Sequence, residues 1–528
     1  MISASKIIDA TFNPVSLYVK TKYRNKENKK TILQELFGKL GHNHEDAIYD
    51  FLCDKYGEDK IYDFNREYPN IFEDRQKLLK KTIKKMKKYP IIFEAYICSE
   101  ELQMMGYIDI LMRISIFIDL FENILPIHII SDLKEEYKKY GDFHMILDMK
   151  YSSIKRMKDY SLSRAKDKYK YLIQLNIYNK MLKEIQPYVS QYSWIWGSRV
   201  KGYDSNNVLH AIAFYDHNDL DLNNEINNII FEAITFINNM DNYIEDYKKI
   251  KYFIKSDMFD PDYINEYKKK CREELKIEIL SETHSSYITQ IDLGKFYEPL
   301  LLTRNNKYTL FIDNETVNSY HTNDFDTFPY YQGVTGAYMI GVIGYQNGEE
   351  IFREQFIAEE LTTDGIFNVH KGFNDLIMKL GTENINSIIH FAPAEIHDFK
   401  AFIRNEDRSN ELEFFKNFRS NKSLFLDLRD VIRKIAPLTN GDGFGLKPVS
   451  KYFYDLELIK TKYDDINGLL TIPLIIKFYE DTDKNAKILE DISIYNYKDC
   501  IVLKELVELL LVIHENNNLN NLFDELSL

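Results

Sequence analysis

Short, strongly apolar runs recur along this chain. Each is broken by one or two carboxylates and followed by a segment of helical periodicity, and that alternation restricts the possible folds more than any other feature. IIFEAYI (91–97), MGYIDILMRI (105–114) and HMILDMKY (144–151) read as strands, with a basic helix over 67–89 ending before Pro90. A long helix is predicted over 162–185, then strands near 193–197 and 208–215, and helical pattern over 220–285. A second block opens on the strand YTLFIDNETV (308–317). A hairpin turning at Asn347-Gly348 follows, then a helix over 366–380, a strand over 387–392, and a final amphipathic helix over 492–514. Strands interleaved with helices in two blocks predict an α/β protein of two domains. A length of 528 residues accommodates that at roughly 100–200 residues per domain.

Charge divides the chain at the same place. Residues 1–300 carry 45 basic and 46 acidic side chains, whereas residues 301–528 carry 23 and 36. The predicted organisation is a domain over 1–219, a helical connector over 220–300 and a domain over 301–528. The overall net charge of −14 argues against a basic nucleic-acid coat protein. Residues 151–200 run the other way, with ten basic and three acidic residues. Cys53, Cys98, Cys271 and Cys500 show no CxxC or Cys/His spacing, so zinc, an iron–sulfur cluster and a disulfide framework are not expected. The N-terminus lacks the apolar core of a signal peptide. The most apolar stretch, 108–130, is interrupted by Asp109, Arg113, Asp119 and Glu122, so no membrane association is expected and the predicted location is cytoplasmic.

Two groups of residues carry chemistry. In MGYID and ILDMK, Asp109 and Asp148 end apolar strand segments, and Asp148 shares a strand face with Lys150. Hard oxygen ligands of this kind suit Mg2+ or Mn2+, and Lys150 could orient a water or neutralise charge developing on a phosphate. Gln174 and Tyr178 lie four apart on the following helix and share a face. In the second block, LFIDNETV places Asp313 and Glu315 on one strand face, and IYNYKD places Tyr495 and Asp499 four apart on a helix. Glu395 sits just past the 387–392 strand. Four such carboxylates could hold two divalent ions about 3.5–4 Å apart, with Tyr495 orienting a water. Taken singly, these residues read as turn or surface positions; their joint order is the signal.

The order G-x-x-D, apolar-D-x-K, Q-x-x-x-Y resembles the RecB-like branch of the PD-(D/E)xK nucleases over roughly residues 1–215. SASKIIDATFNPVSLYV is similar to that family's opening segment, and GHNHEDAIYDFL to its first helix. The resemblance implies a restriction-endonuclease-like core with Glu45, Asp109 and Asp148 around the metal and Lys150 catalytic. Gln174 and Tyr178 would support the site, and His44 reads as structural. Asp148 stands where Glu is commoner, and the cysteine quartet of the iron–sulfur members is absent. The second pattern resembles the DEDD exonucleases of the RNase H-like fold, in the subtype with a Tyr-x-x-x-Asp last motif, over roughly 305–515. It implies a mixed sheet with helices, Asp313, Glu315 and Asp499 as ligands, and 3′–5′ polarity. Glu395 fits the middle ligand, with Asp398 and Asp427 as rivals.

The expectation is a metal-dependent nuclease acting on DNA, with RNA left open as substrate. Lys155, Arg156, Lys158, Arg164, Lys166, Lys168 and Lys170, which follow the D-x-K strand, would hold the phosphate backbone. With no G-x-x-x-x-G-K-[ST] loop, strand separation would fall to a separate helicase as partner. The alternative is a non-catalytic nucleic-acid-binding or scaffold protein with one or both centres decayed.

Overall fold

The computed structural model describes residues 1–12, 17, 21, 32–67, 75–165, 169–201, 207–239, 293, 296–297, 300, 306–435, 445–455, 457–462 and 468–516. The chain forms two compact units, one of Met1–Lys30, Phe37–Ile264 and Asp324–Gln332, the other of Thr31–Leu36, Asn265–Asn323 and Gly333–Leu528. Each is α/β and built on a mixed sheet.

The first unit's sheet runs β2 (Ile61–Asp63), β3 (Ile91–Ser99), β4 (Met104–Arg113), β5 (His144–Ile154), β6 (Tyr192–Val200), β7 (Ile212–Asp216), with β1 (Ile2–Ser3) added beside β4. β2–β3 and β5–β6 are parallel pairs, and β3–β4, β4–β5 and β6–β7 are antiparallel. Helices cover both faces, which is why these strands read as nearly continuous apolar runs rather than as alternating ones. One face packs on α1 (Ala4–Phe12), α6 (Tyr169–Leu182) and α7 (Leu220–Asn238). The other packs on α2 (Ile32–Tyr56), α4 (Ile114–Phe121) and α5 (Ile127–Tyr140), around the fully buried Trp194 and Trp196. An α3 helix (Arg75–Met86) lies within the stretch expected as basic helix.

Two expectations need correction here. The helix predicted from residue 162 does not start there: Leu162 N–H donates to the Phe214 carbonyl and Ser163 N–H to the Lys155 carbonyl, so this stretch is tied to neighbouring extended chain. An Asp159 side chain accepting the Ser161 N–H at 3.0 Å closes the turn that brings it back. Of the stretch expected as connector, α7 is capped by Asp219, which accepts the Leu222 N–H at 3.0 Å, and it buries Leu222, Ile226 and Ile230 in the first unit's core. Residues 240–292, with Cys271, lie outside the described residues.

The second unit's sheet runs β10 (Glu349–Ile357), β9 (Gly336–Gln346), β8 (Tyr308–Val317), β11 (Ile385–His390), β12 (Phe425–Asp427). The first three are antiparallel, and β8, β11 and β12 are parallel. The β9–β10 turn is the expected Asn347-Gly348, both at positive φ (+56° and +80°), the conformation a two-residue hairpin needs. One core lies against α8 (Thr363–Leu380) and α9 (Ala394–Asn405). The other lies against α10 (Leu428–Ile435), α11 (Leu446–Asp455) and the C-terminal half of α13 (Thr482–Asn516). A further helix, α12 (Gly468–Glu480), packs on α13 and on β8. The last helix begins ten residues before the expected 492. No helix among the described residues is long and apolar enough to cross a membrane.

Two candidate metal centres

The first centre forms where two strands part. β4 and β5 pair from Arg113 opposite His144 to Ile110 opposite Leu147, then separate, β4 continuing beside β3 and β5 beside β6. Asp109 and Asp148 are the first residues beyond that fork. Met149 N–H donates to Asp109 Oδ2 at 2.7 Å, taking the place of a ladder bond. Lys150 Nζ is 2.7 Å from Asp148 Oδ2 and 3.5 Å from Asp109 Oδ2. From α6, Gln174 Nε2 donates to Asp148 Oδ1 at 2.8 Å and to the Tyr178 hydroxyl at 3.1 Å. Gly106 makes this approach possible, because a Cβ there would lie 2.5 Å from a Tyr178 ring carbon.

Asp148 is fully buried, and burial first and Asp109 second push its carboxyl upward, against the pull of Lys150. Burial alone would lower Lys150, but Asp109 and Asp148 outweigh it and hold the ammonium charged. Glu45, on α2, is raised by burial and by Asp109, while His42 and Lys150 draw it down. Its electrostatic neighbours therefore place it at the same site. The donor set suits a hard divalent ion. One lysine does not balance so many carboxylates, although Glu45, Asp109 and Asp148 do not converge as closely as the second-unit group described below.

Sequence reasoning missed Glu94. The register puts it level with Asp109, between Phe93 opposite Ile110 and Ala95 opposite Ile108. Its φ of +53° lies in the left-handed region, and there the strand changes faces: Ile91 and Phe93 belong to one core, Ala95 and Ile97 to the other. Burial, then Asp109 and Glu45, raise its carboxyl to about 8. A lone glutamate with three apolar residues on either side, as in IIFEAYI, was the available signal.

The second centre lies on one face of β8, with Asp313 opposite Gly341 and Glu315 opposite Met339 of β9. α13 packs against both strands. One ligand atom each from Asp313, Glu315 and Asp499 lies within 4.8 Å of the others, and no other trio of His, Cys, Asp or Glu among the described residues converges so closely. Each carboxylate has a polar support, and those of Asp313 and Glu315 were not revealed by the sequence. Asn496 Nδ2 donates to Asp313 Oδ2 at 2.8 Å and to its carbonyl at 3.0 Å, and Gln355 Nε2 donates to Asn496 Oδ1 at 3.0 Å. Thr471 Oγ1 donates to Glu315 Oε2 at 2.8 Å. The Tyr495 hydroxyl bonds to Asp499, and its ring lies 4.4 Å from Lys447 Nζ.

Burial and mutual repulsion shape the electrostatics. Glu315 is raised to about 8 by burial and then by Asp499, and Asp313 is raised by burial, Asp499, Glu315 and Glu395. Glu395 is buried and itself raised, with His390 Nδ1 3.3 Å from its Oε2. The rivals are engaged elsewhere. Asp398 Oδ2 takes a bond from Asn314 Nδ2 and faces His370 Nε2, both at 3.1 Å. Asn314 alternates with Asp313 and Glu315, so this is the opposite strand face. Asp427 Oδ1 accepts the N–H of Ala392 at 2.9 Å and of Arg429 at 3.0 Å. It thereby fixes Ala392, whose φ is +73°, at the turn leading to Glu395.

Of the expected backbone-binding residues, Lys155, Lys158 and Lys170 are exposed. Arg156 instead stacks over the Tyr160 ring at 3.6 Å and donates to the Ile212 carbonyl at 3.1 Å, and Arg164 pairs with the α7 cap Asp219. Lys166 and Lys168 lie outside the described residues. Cys53, Cys98 and Cys500 are free thiols. No family model, no curated protein and no solved structure matches this chain.

Proposed function

We propose that the chain is a divalent-metal-dependent nuclease hydrolysing phosphodiester bonds in DNA, with a restriction-endonuclease-like first centre and an RNase H-like, 3′–5′ exonuclease-type second centre. The carrying observation is the convergence within 4.8 Å of Asp313 and Glu315, on one face of β8, with Asp499 of α13. Buried like charges this close favour a cation between them. Mg2+ or Mn2+ fits the oxygen donors, and Glu395 supplies a fourth carboxylate for a second ion. Ions of this kind, when bound, polarise a phosphoryl oxygen and lower the pKa of water.

The chain's own residues do the rest. Asn496 and Thr471 fix the carboxylates of Asp313 and Glu315. Tyr495 is held protonated, by burial first and then by Asp499, so its hydroxyl can orient a water. In the first centre the Lys150 ammonium stands between two aspartates, where it can meet negative charge developing on phosphate. Hydrolysis joins the water oxygen to phosphorus and breaks the ester P–O bond, and the leaving oxygen takes up a proton. Lys155, Lys158 and Lys170 supply sequence-independent backbone contacts.

The test is Asp148→Ala, Asp499→Ala and the double variant, assayed with Mg2+ or Mn2+ on single- and double-stranded DNA and RNA. Each single change is expected to lower hydrolysis at its own centre by at least about 100-fold, and the double to abolish it. Full activity in the double variant would sink the proposal, and a substrate preference for RNA would correct its substrate.

A further inference from the structure

Nine residues of the loop after β8, Asp324–Gln332, belong to the first compact unit and not to the unit holding β8 and β9. A dense set of contacts fixes them there. The Pro329 carbonyl accepts the Val208 N–H at 2.7 Å, and Asn207 and Tyr330 form an isolated antiparallel bridge. The Phe328 ring lies 5.0 Å from Phe51 and 6.1 Å from Trp196, and the Phe325 ring 5.7 Å from Tyr151. Among these rings Tyr331, only 4% exposed, sets its hydroxyl 2.7 Å from Nδ1 of the fully buried His44.

The Tyr331 hydroxyl and His44 Nδ1, each costly to bury alone, thus satisfy one another. Their position gives the bond its consequence. His44 immediately precedes Glu45 on α2, and Tyr151, whose ring lies 5.6 Å from His44, immediately follows Lys150 on β5. The His44–Tyr331 pair therefore sits beside both elements that carry first-centre residues. Glu45 has 42% of its side chain exposed and faces His42 Nδ1 at 3.5 Å, one turn back on the same helix, so its placement depends on how its helix turn is held. Packing of rings alone leaves a turn some freedom to slide, whereas a buried hydrogen bond sets its height.

We propose that Tyr331 is a positioning residue of the first centre: by bonding His44 it fixes the α2 turn that presents Glu45 to Asp109 and Lys150. A residue more than ninety positions beyond the end of α7 in sequence thereby completes the centre, which the N-terminal residues do not assemble by themselves.

The inference rests on reading the first centre as a metal centre, and the experiment separates the two. Full-length protein carrying Asp499→Asn, which silences the second centre, is compared with the same protein bearing Tyr331→Phe, Tyr330→Phe or Asp148→Asn. Mn2+ affinity by calorimetric titration, kcat and KM for DNA hydrolysis, and the metal-free Tm are measured for each, the first two well below the Tm. Tyr331→Phe is expected to weaken Mn2+ binding and lower kcat by about tenfold with KM within about twofold, and the exposed Tyr330→Phe to change neither. A Tyr331→Phe protein with a lowered Tm but Mn2+ affinity and kcat within about twofold overturns the positioning role. An Asp148→Asn protein with Mn2+ binding and hydrolysis intact overturns the metal-centre reading, and the positioning role with it.

Discussion

At the residue scale, the two centres differ in how their negative charge is managed. In the first, Lys150 already stands between Asp109 and Asp148. In the second, the hydrogen bonds to Asp313 and Glu315 come from neutral donors and Lys447 only draws Glu315 part of the way down, so repulsion among Asp313, Glu315 and Asp499 is contained but not cancelled. Asn496 is the informative position, since it is fully buried and makes two bonds to Asp313. Asn496→Leu keeps the volume and removes the amide. Mn2+ affinity at the second centre, read by calorimetry in an Asp148→Asn background, is expected to fall about 10- to 100-fold. An unchanged affinity would show that Asp313 needs no such support. Gly341 enforces the same contact, because a Cβ there would come 1.9 Å from Asn496 Oδ1.

Elements explain why separate sequence signals travel together. The glycine of G-x-x-D and the tyrosine of Q-x-x-x-Y are two sides of one packing contact, with Tyr178 lying flush against the backbone at Gly106 while Gln174 reaches Asp148. Gly106→Ala inserts a methyl 2.5 Å from that ring. Overpacking of this kind costs roughly 1–3 kcal/mol. The expected outcome is a lowered Tm and loss of hydrolysis by the first centre, with Mn2+ binding at the second centre unchanged; loss at both would point to general unfolding. The fork between β4 and β5 was not legible in the sequence, because both strands stay apolar through it and only the pairing changes partner. The long helix was read too early for a related reason. Residues 162–165 have helix-compatible composition, yet Leu162 and Ser163 spend their backbone N–H groups on other segments.

For the whole molecule, the acidic centres make stability depend on pH in a set direction. Glu94 and Glu315 are raised to about 8 in the folded chain, against about 4.3 for an unfolded glutamate. The folded state then binds more protons than the unfolded one between those values. The stability these groups contribute is full below about pH 4.3 and is lost as pH rises toward 8. The Tm of EDTA-treated protein should therefore decline from pH 5 to pH 8, and the Mn2+-induced gain in Tm should grow over the same interval. At about 100 times its Kd the ion is worth roughly 2.7 kcal/mol. A gain in Tm that is the same at pH 5 and pH 8 would show that these carboxylates do not hold the ion. The net charge of −14 fits this picture, since the acidic excess lies almost wholly in residues 301–528, with the closest carboxylate convergence.

By itself the sequence determined the α/β alternation, the Asn347-Gly348 hairpin, and the pairing of those site residues that lie close along the chain, because strand parity and helical spacing are local rules. Asp148 with Lys150, Gln174 with Tyr178, and Asp313 with Glu315 are all close in sequence, so their shared faces could be read directly. Tertiary structure alone decided that Glu94 stands level with Asp109, that Asp398 and Asp427 face other work, and that Tyr331 bonds His44 across 287 positions. These depend on strand partners and on where a distant loop comes to rest. Such contacts arise from burying apolar surface over the whole chain, and no window of neighbouring residues encodes them.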